Sequence, residues 1–109
     1  MIYFIGAGPG AADLITVKGK ELLEKADLVI YAGSLVNPEL LKYCKPECTI
    51  MNSATMTLEE VIAAMVPAAQ AGQLVVRLHT GDPSIYGAHR EQIDLLRSYN
   101  LDYEVVPGV

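Results

Sequence analysis

The sequence predicts an α/β domain: a mostly parallel five-stranded sheet with helices on both faces. Two observations carry this. Short apolar runs recur at Ile2–Ile5, Leu28–Tyr31, Thr49–Met51, Leu74–Leu78 and Tyr103–Val106, with a helix-length segment between successive runs. The runs are near-continuously apolar rather than alternating, as central strands covered on both faces require. A chain of 109 residues holds one core of useful size and not two.

The elements follow in order. After the first strand and its glycine-rich loop, Thr16 is placed to cap a helix over Val17–Ala26, which offers Val17, Leu22, Leu23 and Ala26 to a buried face and is weakened by Gly19. After the third strand, Thr57-Leu58-Glu59-Glu60 has the form of a capping box, in which Thr57 and Glu60 satisfy each other's backbone amides. Val61, Ile62, Met65 and Ala69 then recur at helical spacing, and Gly72 ends the helix. Pro67 lies inside this pattern, where it removes one intrahelical hydrogen bond and predicts a kink over residues 63–67. A last helix over Ile85–Tyr99 presents Ile85, Ala88, Ile93, Leu96 and Tyr99, with Asn100 as its cap.

The loops that follow the strands hold the chemistry: GAGPG, YAGS, MNSAT, HTGDPS and PGV. Open α/β sheets bind ligands at the carboxyl ends of their strands, where the strand order reverses. GAGPG with Ala11 satisfies G-x-G-x-x-G/A, yet a dinucleotide site fits it poorly. Pro9 has no N–H where donors are wanted. The helix starts near Thr16, which takes its dipole away from the glycines. The second strand ends Ile30-Tyr31-Ala32-Gly33-Ser34 without the acid that would hold a ribose, and Asp27 precedes that strand. A Walker loop fails as well, having no GK[ST].

Composition narrows the classes further. A net charge of −5 with no basic stripe argues against nucleic acid as a partner. Mean hydropathy of +0.28 with 19% charged residues is too apolar for disorder. No apolar run reaches the roughly 18 residues of a membrane span. The first strand starts at once, without a basic leader or cleavage site, so a cytoplasmic setting is expected. Cys44 and Cys48 in CKPEC have no second Cys or His pair to complete a zinc site; no metal is expected, and the two are read as structural thiols. His79 is read as a hydrogen-bonded spacer, His89 as a solvated helix residue, and Tyr31 and Tyr86 as core.

YFIGAGPGAADLITVKGKELLEKADLVIYAGSLVNPELL, RLHTGDPSIYGA and EVVPGV together resemble the tetrapyrrole methylase family, whose members transfer methyl from S-adenosylmethionine. The resemblance covers all 109 residues. YAGSLVNPELL and LHTGDPSIYG are most similar to the members that methylate C11 of precorrin-4 or its cobalt form in cobalamin biosynthesis, a branch of porphyrin chemistry. It implies that residues 1–109 are the amino-terminal α/β domain of a two-domain methyltransferase, with a carboxy-terminal domain outside this chain. The chain alone is then expected to fold and to be inactive. Relatives are commonly homodimers.

The same resemblance assigns Gly6, Gly8 and Gly10 to the substrate trough, where the missing Cβ lets a large polycarboxylate ring approach the backbone. It assigns Pro9, Thr80, Gly81, Asp82 and Ile85 to the S-adenosylmethionine site. Asp82 could accept hydrogen bonds from the donor's hydroxyls or amino group, although Asp before Pro is also a good turn residue. No residue is assigned as acid or base. Methyl transfer from a sulfonium is an in-line displacement that depends on closeness and alignment more than on proton transfer. Relatives that methylate uroporphyrinogen carry an Asp where this chain has Ala32, which argues against that activity. Two other readings remain open: a family member with a different substrate, and a non-catalytic α/β nucleotide-binding module.

Overall fold

A computed structural model describes residues 1–7, 17–31, 38–80 and 90–106. The strands are β1 (Ile2–Ala7), β2 (Leu28–Tyr31), β3 (Thr49–Asn52), β4 (Val75–Thr80) and β5 (Tyr103–Val106). The helices are α1 (Val17–Lys25), α2 (Leu58–Gln70) and α3 (Arg90–Ser98), with short 3₁₀ helices at Pro38–Tyr43 and Ser53–Thr55. The five strands form one sheet in the order β3-β2-β4-β1-β5, and every pairing is parallel.

Alternation along the strands gives the sheet two apolar faces. On one, Ile2, Phe4, Leu28, Ile30 and Val75 pack under Val61, Ile62, Met65, Val66 and Ala69 of α2 and Leu96 of α3. On the other, Ile5, Val29, Val76, Leu78 and Val106 pack against Leu23 of α1 and Ala26. The chain therefore steps toward β3 by way of α1 and returns toward β5 by way of α2 and α3, which keeps each crossover of one hand.

Local chemistry sets the helix ends. Glu60 N–H donates to Thr57 Oγ1 at 3.2 Å, and Thr57 N–H donates to Glu60 Oε1 at 3.1 Å, so the capping box is complete. At the other end of α2, Gly72 takes φ +82°, with Gly72 N–H on Ala69 O and Gln73 N–H on Ala68 O. Asn100 does the same for α3 at φ 58°, with Leu101 N–H on Leu96 O. These are paired left-handed caps that satisfy the last carbonyls. α2 runs unbroken from Leu58 to Gln70 through Pro67.

Three packing expectations need correction. Val17 is 74% exposed: the buried stripe of α1 is Gly19 and Leu23, continued by Ala26, and Val17 points away from that stripe at 100° per residue. Tyr99 is 49% exposed, because α3 ends at Ser98 and Tyr99 already belongs to the cap. The strands are not all central: β3 and β5 are the two edges, and β3 carries Ile50 at 42% exposure. A short edge strand covered mainly on one side leaves some apolar side chains to solvent. Among the described residues no helix is long and apolar enough to cross a membrane.

Candidate functional site

β1 and β4 lie side by side, and the connections that leave them go to opposite faces: β1 leads to α1, β4 leads to α3. That divergence makes the carboxyl edge between them the switch point of the sheet, the place where open α/β sheets bind their ligands. In the parallel register Gly6 stands opposite His79 and Ala7 opposite Thr80. Gly6 from the substrate-lining set and Thr80 from the donor-binding set are thereby brought to the same edge, one register step apart. Gly8, Pro9, Gly10, Gly81, Asp82 and Ile85 lie outside the described residues, as do Ala32, Tyr86 and His89.

The end of β2, next along this edge, is held by its neighbours' side chains. Ser53 Oγ donates to Tyr31 O at 3.0 Å, and Arg77 Nη1 donates to Ile30 O at 3.3 Å. Asn52 Oδ1 accepts from Ala54 N–H at 2.9 Å and starts the turn that carries Ser53. Tyr31 is half-buried against the α1 face of the sheet, in line with its reading as a core residue. Arg77 is 5% exposed, and burial lowers its guanidinium pKa to about 10. Sequence reading passed over Arg77 and Ser53. A cation inside the apolar run Leu74–Leu78 was the available signal for the first, since central strands rarely bury a charge without cause.

At the opposite, amino edge, Asp27 is fully engaged. Its Oδ1 accepts from Lys45 Nζ at 2.7 Å and its Oδ2 from Leu74 N–H at 2.9 Å. Lys45 first and the Leu74 amide second hold its carboxyl below the ordinary range. Asp27 thus sits at the wrong end of β2 to bind a ribose at the crevice. That placement speaks against a dinucleotide site.

Cys44 and Cys48 are free, half-buried thiols. Burial pushes Cys44 up to about 12 and Cys48 upward as well, which makes both poor nucleophiles. Among the described residues no group of three His, Cys, Asp or Glu could hold a metal. A groove of about 370 Å³ between α2 and α3 is lined by Ile62, Val66, Pro67, Leu95 and Tyr99. Another of about 430 Å³ lies at the amino edge beside Asp27, Glu47, Thr49 and Gln73. Neither reaches the switch point.

The sequence pattern of the family described as Tetrapyrrole (Corrin/Porphyrin) Methylases matches residues 1–109. A cobalt-precorrin-4 C(11)-methyltransferase of Methanocaldococcus jannaschii is 59% identical over 99% of this chain and 42% of its own length. A precorrin-4 C(11)-methyltransferase of Mycobacterium tuberculosis is 48% identical over 99% of this chain and 43% of its own. The solved structure of a cobalt precorrin-4 methyltransferase superposes with a TM-score of 0.92 at 51% identity, covering 99% of this chain and 45% of that one. That of a uroporphyrin-III C-methyltransferase from Thermus thermophilus, complexed with S-adenosylhomocysteine, gives 0.79 at 34%, covering 99% and 44%. The chain spans less than half the length of the curated relatives it matches.

Proposed function

The chain belongs to the tetrapyrrole (corrin/porphyrin) methylase family, and from that premise we propose that the protein methylates C11 of precorrin-4 or cobalt-precorrin-4, with S-adenosylmethionine as donor. The observation that carries the reading is the pairing of β1 with β4, which sets Gly6 and Ala7 beside His79 and Thr80 at the switch point. Relatives at 48–59% identity are named for that reaction.

The residues present fit such a donor. Gly6 has no Cβ to obstruct approach to the strand end, and Thr80 precedes Gly81, Asp82 and Ile85 in sequence. S-adenosylmethionine, when bound, supplies an electrophilic methyl group. The part of this chain is to orient: its strand ends form the floor on which donor and ring are aligned, and alignment is worth more to a displacement of this kind than a proton relay. No side chain is given an acid or base role.

The proposal includes a carboxy-terminal domain completing the site and a homodimeric assembly, both implied by the family resemblance, and a cytoplasmic location. Its test is to incubate the whole protein with S-adenosylmethionine and each precursor, and to locate any new methyl by NMR. A methyl at C11 is the expected result. Transfer to another ring carbon, or none, overturns it.

A further inference from the structure

We propose that Ser53 and Arg77 are positioning residues that fix the carboxyl end of β2 and thereby shape the wall of the crevice against which the ring substrate lies. The inference rests on the methyltransferase reading for its substrate and on geometry for the rest. β2 has only four residues, Leu28–Tyr31. Its last two carbonyls each receive a side-chain donor from a different neighbour: Ile30 O from Arg77 of β4, and Tyr31 O from Ser53 just after β3. The strand end is held from both sides.

Arg77 is an expensive way to hold it. The residue stands in register opposite both Phe4 and Ile30, and alternation from Val75 puts it on the face covered by α2 and α3. A guanidinium there is desolvated, a cost that its hydrogen bonds must offset. One of those bonds goes to the Ile30 carbonyl and ties β4 to the end of β2. Ser53, half-buried, has no comparable cost and acts on the adjacent carbonyl.

The position matters because of size. Neighbouring strands are about 4.8 Å apart, and a four-ring macrocycle is wider than that. A ring seated at the junction of β4 and β1 therefore extends over the end of β2, the next strand outward. Small displacements of Tyr31 would change how the ring lies while leaving the β1 and β4 strand ends, and the donor with them, in place.

The test uses the whole protein with Ser53→Ala, Arg77→Met and Arg77→Lys. Amide exchange in peptides spanning residues 28–31 should quicken at least fivefold in Ser53→Ala and Arg77→Met, with residues 58–70 unchanged. KM for the precursor should rise at least fivefold while the dissociation constant for S-adenosylhomocysteine stays within twofold. Arg77→Lys, which keeps a cation and a donor, should recover part of both effects. Unchanged exchange in β2 overturns the proposal, as does loss of protection spread evenly through α2 or a parallel change in KM and donor affinity. Ser53→Ala decides the matter should Arg77→Met fail to fold. Wild-type protein that binds S-adenosylhomocysteine but turns over neither precursor would sink the substrate reading, and the exchange result would still decide the role of the two residues.

Discussion

Ala7 and Thr80 stand opposite one another at the carboxyl ends of β1 and β4, the two adjacent strands whose connections part to opposite faces of the sheet. This pairing brings two strand ends, 73 residues apart in sequence, to one candidate site. On the proposed reading, Gly6 and Ala7, the small residues that end β1, leave room for a ligand at that edge.

The first prediction concerns Asp82, two residues after Thr80 in sequence. Asp82→Asn in the whole protein should weaken binding of S-adenosylhomocysteine by roughly 1–2 kcal/mol, because a carboxylate accepts stronger hydrogen bonds than an amide. Calorimetry reads this directly. An unchanged dissociation constant removes Asp82 from the donor site.

α2 supplies a stability prediction. Removing the Thr57 hydroxyl deletes the bond from Glu60 N–H and exposes an unpaired amide at the first turn. Thr57→Ala should cost about 1 kcal/mol in urea unfolding. A loss under a few tenths would mean that water replaces the cap at no cost.

Gly72 and Asn100 form a matched pair, since both take left-handed backbone at a helix end, with φ +82° and 58°. A Cβ at Gly72 would meet nothing within 4 Å, so the penalty of Gly72→Ala is conformational alone, about 1 kcal/mol. Asn100→Gly should be neutral or slightly stabilising. A lowered denaturant midpoint for Gly72→Ala beside an unchanged or slightly raised one for Asn100→Gly would fit; a large loss for Asn100→Gly would show that the Asn side chain does more than tolerate the angle.

Asp27 makes stability depend on pH. Its carboxyl is held below the ordinary 3.8 by Lys45 and then by the Leu74 amide, so its contribution is present above about pH 4 and is lost as pH falls through the lower folded value. Lys45 is raised above 10.5 by the same contact, so its share is present below about pH 10.5 and fades as pH rises past the folded value. The stability difference between wild type and Asp27→Asn should be flat across neutral pH and shrink at both extremes. A difference that stayed constant below pH 4 would contradict the ion pair.

Much of this architecture was legible in the sequence for physical reasons. Strand runs are read from burial on two faces, and all five appeared within two residues of their expected bounds. The Thr57–Glu60 box and the Gly72 cap are local chemistry, determined by four or five neighbouring residues. What sequence could not supply is pairing. Nothing in the order of residues says that β4 inserts between β1 and β2, and without that insertion Gly6 and Thr80 have no reason to be neighbours. Edge position was equally hidden, since Thr49–Met51 reads as a central strand until its neighbours are known. Arg77 and Ser53 escaped notice because their partners are backbone carbonyls, which carry no side-chain signature in the sequence.

The central claim is that the crevice at the ends of β1 and β4 serves a sulfonium methyl donor rather than a dinucleotide. Calorimetric titration of the whole protein with S-adenosylhomocysteine and, separately, with NAD tests it most directly. The account predicts saturable binding of S-adenosylhomocysteine in the micromolar range, about 8 kcal/mol, and no heat of binding from NAD. Saturable binding of NAD with none of S-adenosylhomocysteine would contradict it.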